Sequence, residues 1–209
     1  FYQQAWERSN DPNNLVEFGE MMLRQGDVQT ARIAWTQALV QNPTLVEGHT
    51  RQLRLLLRQA KLYGSSQDWE VVRDAAQAML AAVPSGDSSA MAYHALGLAL
   101  VQLRDRNAGT EEGVNELRKA YDLQPEEVSY AIDLAEELVR REKKADAQSL
   151  YDDLIARHVE HGAAASKVRT AYAQYLAFQD KKNEADDYFK QAIAIALSEA
   201  KIKPKKAMK

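Results

Sequence analysis

Few residues in this sequence have the types and the spacing that chemistry at a site requires. His158 and His161 lie three residues apart, a spacing that could hold a metal ion on one face of a helix. Two ligands alone do not make a metal site, and Glu160 between them would point to another face. The sequence therefore predicts no metal centre and no bound cofactor.

Acidic residues are plentiful, but they occur as neighbours rather than at catalytic spacing. Adjacent residues on a helix point about 100° apart, so such pairs are predicted to be solvated faces and not acid–base partners. The turn at 85–89, Ser-Gly-Asp-Ser-Ser, lacks the Gly-Lys-Ser/Thr core of a phosphate loop. His49 and His94 have no catalytic companion, and there is no cysteine nucleophile. We predict that the chain is not an enzyme.

The composition is that of a folded, helix-rich chain: 45% of the residues are hydrophobic and 27% are charged. The formal net charge is −3, but the last nine residues carry five lysines, so the first 200 residues carry −8. This balance argues against a nucleic-acid-binding body, and the lysine-rich tail, 201–209, is predicted to be a solvated terminus. No apolar run of about 18 residues exists, so no membrane span is predicted.

A repeat is the most informative pattern in the sequence. Three prolines lie 41 residues apart, and each closes the same helical pattern: Trp35-x2-Ala38-x4-Pro43, Ala76-x2-Met79-x4-Pro84 and Leu117-x2-Ala120-x4-Pro125. Self-similarity at a period of 20–50 residues indicates a solenoid, and solenoids present extended binding surfaces.

The residues of the first repeat carry a family resemblance. A first helix places Leu15, Phe18-Gly19 and Met22 on one face, and a second places Ala31, Trp35 and Ala38 on one stripe before Pro43. This pattern resembles the tetratricopeptide repeat, in which small residues let paired helices approach closely. The resemblance implies an all-α fold, an α-solenoid of antiparallel helix pairs wound as a right-handed superhelix.

We expect five such repeats, at 12–45, 46–86, 87–127, 128–161 and 162–200. The second is the loosest and predicts a first helix extended by about two turns. A period of 41 residues would also suit HEAT-like or armadillo-like units. The Leu96-Gly97 pair of the third repeat and the Ala-x3-bulky-x2-Ala pattern favour tetratricopeptide repeats. Residues 1–11 are predicted to form a terminal helix, either the end of a preceding repeat or a short cap.

In the family that the chain resembles, first helices line a concave groove. The matching positions here are Val16, Glu20, Leu23, Leu57, Lys61, His94, Leu98, Val101, Ile132, Glu136, Val139, Thr170 and Gln174. This set is mixed but notably apolar. Some members of the family clamp a terminal carboxylate with Lys, Asn and Arg, but Val16, Glu20, Leu57 and Leu98 occupy the matching positions here, so that clamp is largely absent. The set predicts a non-catalytic scaffold that binds an apolar or amphipathic segment of another protein; the alternative is that part of this apolar stripe is internal packing.

A second function class stays open. The last predicted helix has apolar residues on more than one face, at Ile193, Ile195 and Leu197. End repeats normally turn a polar face outward. The chain is therefore alternatively an accessory domain of a larger enzyme or secretion or assembly complex, with self-association through the C-terminal helix. The sequence identifies neither the partner nor the compartment.

Overall fold

The computed structural model describes residues 11–83, 86–103, 110–157 and 162–202, and every long element in these ranges is an α-helix. The helices are α1 (Pro12–Arg24), α2 (Val28–Gln41), α3 (Val46–Tyr63), α4 (Ser66–Ala82), α5 (Ala90–Gln102), α6 (Thr110–Leu123), α7 (Val128–Arg140), α8 (Lys144–Arg157), α9 (Ala163–Phe178) and α10 (Lys182–Ile202). A 3₁₀ turn, Asp87–Ser89, precedes α5. The all-α prediction is confirmed.

The chain forms two compact units, Phe1–Gln124 with α1 to α6 and Pro125–Lys209 with α7 to α10. Within each unit, consecutive helices pack in pairs: α1 with α2, α3 with α4, α5 with α6, α7 with α8, and α9 with α10. One pair corresponds to each of the five predicted repeat ranges, with α10 extending two residues beyond the last range. The repeat boundaries stay a prediction. Helix α3 has 18 residues against 13 in α1, an extension of rather more than one turn.

Local sequence sets where these helices begin and end. The Asp27 carboxylate accepts a hydrogen bond from the Thr30 backbone N–H at 3.0 Å and so caps α2; bonds from Thr30 lower the pKa of that carboxyl. Ser65 caps α4 in the same way through the Asp68 backbone N–H. Helix α3 ends at Gly64, whose φ of 67° lies in the left-handed region that glycine adopts without strain.

Small residues bring paired helices of the first unit into close contact. Gly19 of α1 lies against the Trp35 ring, and a Cβ atom at that position would come within 2.7 Å of Trp35 Cδ1. The Trp35 indole N–H donates to the Val16 carbonyl at 3.1 Å, which satisfies its buried polar atom. Gly97 of α5 and Gly113 of α6 make a similar close approach. These contacts explain why small residues recur in the repeat.

The second unit has an aromatic and a charged component in its core. The rings of Tyr151, Tyr172 and Tyr175 pack with centroids 5.1–6.1 Å apart. Burial raises the pKa of all three phenols above the ordinary value, most strongly for Tyr151. Glu137 is almost fully buried, and its carboxylate pairs with Arg141 Nε at 2.8 Å. The buried carboxylate of Glu137 therefore depends on Arg141 to compensate its charge, and removing that partner would destabilise the fold.

Several sequence expectations fall outside the described residues. These are residues 1–10 of the terminal helix expected at 1–11, the part of the lysine-rich tail from residue 203, and the pair His158 and His161. In the ranges that the structure describes, no helix is both long and apolar enough to cross a membrane.

Candidate partner-binding faces

The first helices of the pairs are α1, α3 and α5 in the first unit and α7 and α9 in the second, and they carry every predicted groove residue. Six of the thirteen are buried: Val16, Leu57, His94, Leu98, Val101 and Ile132. Val16 packs in one core cluster with Trp35 of α2 and Leu55 of α3. Because they are buried, these six side chains offer a partner little surface.

The other seven predicted residues remain accessible. Glu20, Leu23, Glu136, Val139 and Thr170 are partly exposed, and Lys61 and Gln174 are exposed. Two helices carry the same arrangement: α1 presents Glu20 and Leu23, and α7 presents Glu136 and Val139, each an acid followed three residues later by an apolar side chain. Residues three apart lie on one helix face, so each pair forms a small mixed surface.

Charged side chains connect α1 to α3 on the face of the first unit that carries Glu20. Glu20 lies 3.5 Å from Arg51 Nε of α3 and 3.8 Å from Arg24 Nη2 of its own helix. Arg51 also pairs with Glu47 at 2.7 Å. Because Arg51 and Glu20 are each less than one-third exposed, this network is screened less than a fully solvated pair and helps to fix the two helices in register.

Sequence reasoning missed two residues on the exposed face of α3. Arg54 and Arg58 are both exposed, whereas Leu57 between them is buried with Leu53 and Ala60. The signal was present in the spacing, because Leu53, Leu56, Leu57 and Ala60 share one face at helical period and leave the arginines opposite. Because the second repeat matches the family pattern only loosely, the transfer of groove positions assigned Leu57 to the exposed face of α3 instead of the two arginines.

In the second unit, the accessible residues lie on α7 and α9. The Thr170 hydroxyl donates to the Ser166 carbonyl of the preceding turn at 2.9 Å, so its proton is already used. Gln174, one turn further along α9, is exposed. Of the predicted groove residues in this unit, Glu136, Val139 and Gln174 therefore remain the main candidates for contact with a partner.

The two histidines within the described ranges, His49 and His94, are both buried. His49 is buried, and its Nε2 lies 2.8 Å from the Pro43 carbonyl; a carbonyl only accepts, so this nitrogen donates. The bond ties α3 to the turn that precedes it. Among the described residues, no three His, Cys, Asp or Glu side chains are grouped so that they could hold a metal ion.

No protein-family model matches the sequence, and no curated protein matches it significantly. The fold, however, is similar to those of several solved structures. MamA (residues 41 to the end) from Desulfovibrio magneticus RS-1 matches 69% of this chain and 74% of its own at 27% identity and a TM-score of 0.53.

Two further solved structures match over most of their length. YrrB, described as a TPR protein with an unusual peptide-binding site, matches 93% of this chain and 91% of its own at 13% identity and a TM-score of 0.59. TTC0263, a thermophilic TPR protein of Thermus thermophilus, matches 88% of this chain and 91% of its own at 18% identity and a TM-score of 0.61. With its helix pairs and its small residues at their contacts, the chain is a tetratricopeptide-like helical repeat protein.

Proposed function

We propose that this chain is a non-catalytic scaffold that binds a segment of another protein on the first helices of its repeats. The observation that carries the proposal is the matching pair on α1 and α7, Glu20 with Leu23 and Glu136 with Val139. In each pair an apolar side chain stays partly accessible beside a carboxylate. Burial of the apolar group would supply affinity, and the charge would set register and association rate.

The helical-repeat fold is compatible with this role. YrrB has been described as having an unusual peptide-binding site, which is a property of that protein. Here it supports only the idea that a protein of this fold can hold a peptide. The apolar or amphipathic segment predicted from the sequence remains the partner we propose for the Leu23 and Val139 faces.

Capture experiments with surface variants test the proposal. The full chain, a Leu23→Asp/Val139→Asp variant and a Val40→Asp control would each be used to capture proteins from native lysate, with identification by mass spectrometry. Val40 lies on the second helix α2 and is 77% exposed, so its variant adds a charge away from the proposed faces. We expect one set of proteins to be captured by the wild type and by the control, and lost by the double variant.

The choice of positions matters for this test. Leu98 and Ile132 are buried, so aspartate there would place a charge in the core and would test folding rather than binding. Identical capture by all three proteins, or capture of nothing above background, would contradict the proposal. Circular dichroism of each variant would verify that helical content is unchanged.

A specific observation favours a second candidate function, self-association through α10. Ile193 and Leu197 are one turn apart on this helix and are 58% and 56% exposed. Such a surface would suit an accessory domain that assembles within a larger complex. We expect sedimentation velocity to detect concentration-dependent dimers that an Ile193→Glu/Leu197→Glu variant abolishes; a strict monomer at all concentrations would contradict this candidate.

A further inference from the structure

A basic stripe on α3 is the surface feature that the proposed scaffold function leaves unexplained. We define it as Arg51, Arg54, Arg58, Lys61 and Leu62, which lie within about 100° of the helix circumference. The stripe faces away from the buried residues of α3. It lies on the middle first helix of the first unit, because α3 packs against both α1 and α5.

The two central arginines of the stripe differ from Arg51 in their charge partners. Arg51 is neutralised by Glu20 and Glu47. Within the part of the chain that the structure describes, neither Arg54 nor Arg58 makes a hydrogen bond or an ion pair. Helix α5 contains no Asp, Glu, Lys or Arg at all, so it provides no compensating carboxylate from that side. Both guanidinium groups are therefore available to an anion.

The stripe is also unfavourable for the isolated helix. Arg54 and Arg58 are like charges at a spacing of four residues, and Arg58 and Lys61 are like charges at three, arrangements that destabilise a helix. A bound anion would remove this repulsion. Helix α3 also lacks a side-chain cap at its N-terminus, so this charge repulsion is more readily explained by binding than by folding.

We propose that the basic stripe binds an acidic segment of a partner polypeptide with the pattern acid-x-acid-x-apolar. Arg54 and Arg58 are about 6 Å apart along the axis, because a helix rises about 1.5 Å per residue. Alternate residues of an extended chain are about 6.6–6.8 Å apart and point the same way. Two carboxylates at alternate positions would therefore reach both arginines at once.

Leu62 extends the same register by one more step. It follows Arg58 by four residues, about 6 Å further along the axis, and its side chain is 68% exposed. An apolar residue two positions after the second acid would pack on it. Along α3 the stripe presents two cations and then an apolar side chain. A partner segment with two acids followed by an apolar residue would therefore lie with its chain direction parallel to that of α3.

Charge and dimensions favour a protein over a nucleic acid as the occupant. The stripe extends only about 15 Å along α3, and the unit around it has fifteen acidic against twelve basic residues. Nucleic-acid binding depends on neutralising many phosphates over a broad basic surface. A short acidic segment needs only the two available arginines, and its apolar residue uses Leu62, which a phosphate backbone would not.

Direct binding of a synthetic peptide tests the inference, which rests on the proposed scaffold function and specifies its partner. The probe is a fluorescein-labelled peptide, Gly-Ser-Glu-Ser-Glu-Ser-Leu-Ser-Gly, and fluorescence anisotropy is measured with the full chain in 50 mM NaCl. Three matched ligands accompany it: the same peptide with Gln for Glu, the same peptide with Ser for Leu, and a labelled single-stranded oligoribonucleotide.

The protein variants separate the stripe from general charge. Arg54→Glu/Arg58→Glu reverses the two available cations, and Arg32→Glu/Arg118→Glu makes the same change in net charge on α2 and α6. We expect the stripe variant and the Gln peptide each to weaken binding at least tenfold, while the control variant binds within twofold of the wild type. Binding should also weaken at 0.5 M NaCl, since exposed charge pairs are screened by salt.

Four results would overturn the inference: no binding of the Glu peptide up to 1 mM, equal binding of Glu and Gln peptides, equal loss in both protein variants, or tighter binding of the oligoribonucleotide through the same arginines. The scaffold proposal is tested separately, by the capture experiment with the Leu23→Asp/Val139→Asp variant. If capture depends on Leu23 and Val139 while the acidic peptide does not bind, only the partner chemistry assigned to α3 is wrong.

Discussion

Replacing Gly97 by alanine should weaken the contact between α5 and α6. A Cβ atom at this position would lie 2.8 Å from both Cγ and the backbone N of Leu117, and 2.9 Å from the Gly113 carbonyl oxygen. Two of these atoms belong to the backbone, so a side-chain rotation cannot relieve the overlap. Non-bonded heavy atoms normally pack at about 3.5–4.0 Å, so the helices would have to separate by roughly 0.6 Å or more.

The expected cost follows from overpacking, offset by helix propensity. Overpacking a core typically costs about 1–3 kcal/mol, and alanine is about 1 kcal/mol better than glycine within a helix. Gly48→Ala in α3 provides the matched control, because its Cβ atom would meet the flexible end of Leu39 at 3.1 Å. We expect Gly97→Ala to be less stable than Gly48→Ala by about 1–3 kcal/mol.

Urea unfolding, followed by far-UV circular dichroism and tryptophan fluorescence, would measure both variants. The larger substitution Gly97→Leu should disrupt the α5–α6 pair more severely. If Gly97→Ala proved as stable as Gly48→Ala, the close approach of α5 to Gly113 and Leu117 would be wrong, and the pairing of these helices with it.

Three further variants test other parts of the packing. Trp35→Phe removes the indole bond to the Val16 carbonyl and leaves a gap, so urea unfolding should report a loss of about 1–3 kcal/mol; an unchanged midpoint would contradict this packing. Glu137→Ala leaves the partly buried Arg141 without this carboxylate and should lower the free energy of unfolding by about 3–5 kcal/mol. The double variant Glu137→Leu/Arg141→Leu should lower it much less, and equal losses of stability in the two variants would refute the buried pair. Burial raises the pKa of Tyr151, so the contribution of this phenol to the free energy of unfolding is present below pH 10 and is lost as the pH rises further. Tyr151→Phe should therefore make the thermal unfolding temperature less sensitive to alkaline pH. An unchanged dependence of that temperature on pH would count against the burial of Tyr151.

The candidate site was less predictable than the fold. The set of groove positions transferred from the family pattern contained six residues that the structure buries, among them Leu57 and Leu98. One register error in the loosely matched second repeat assigned Leu57 to the surface and overlooked Arg54 and Arg58. Helical periodicity places residues on faces, but it does not determine which face a neighbouring helix covers.

The sequence by itself determined the helix pairs and most of their ends. Small residues at Gly19 and Gly97, caps such as Asp27 and Ser65, and the recurring prolines are local signals that act within one or two turns. Only the tertiary structure decided which side chains stay accessible, since α3 is flanked by α1 and α5 and its free face is what those neighbours leave uncovered. Accessibility depends on contacts between residues distant in sequence, which helical periodicity alone does not specify.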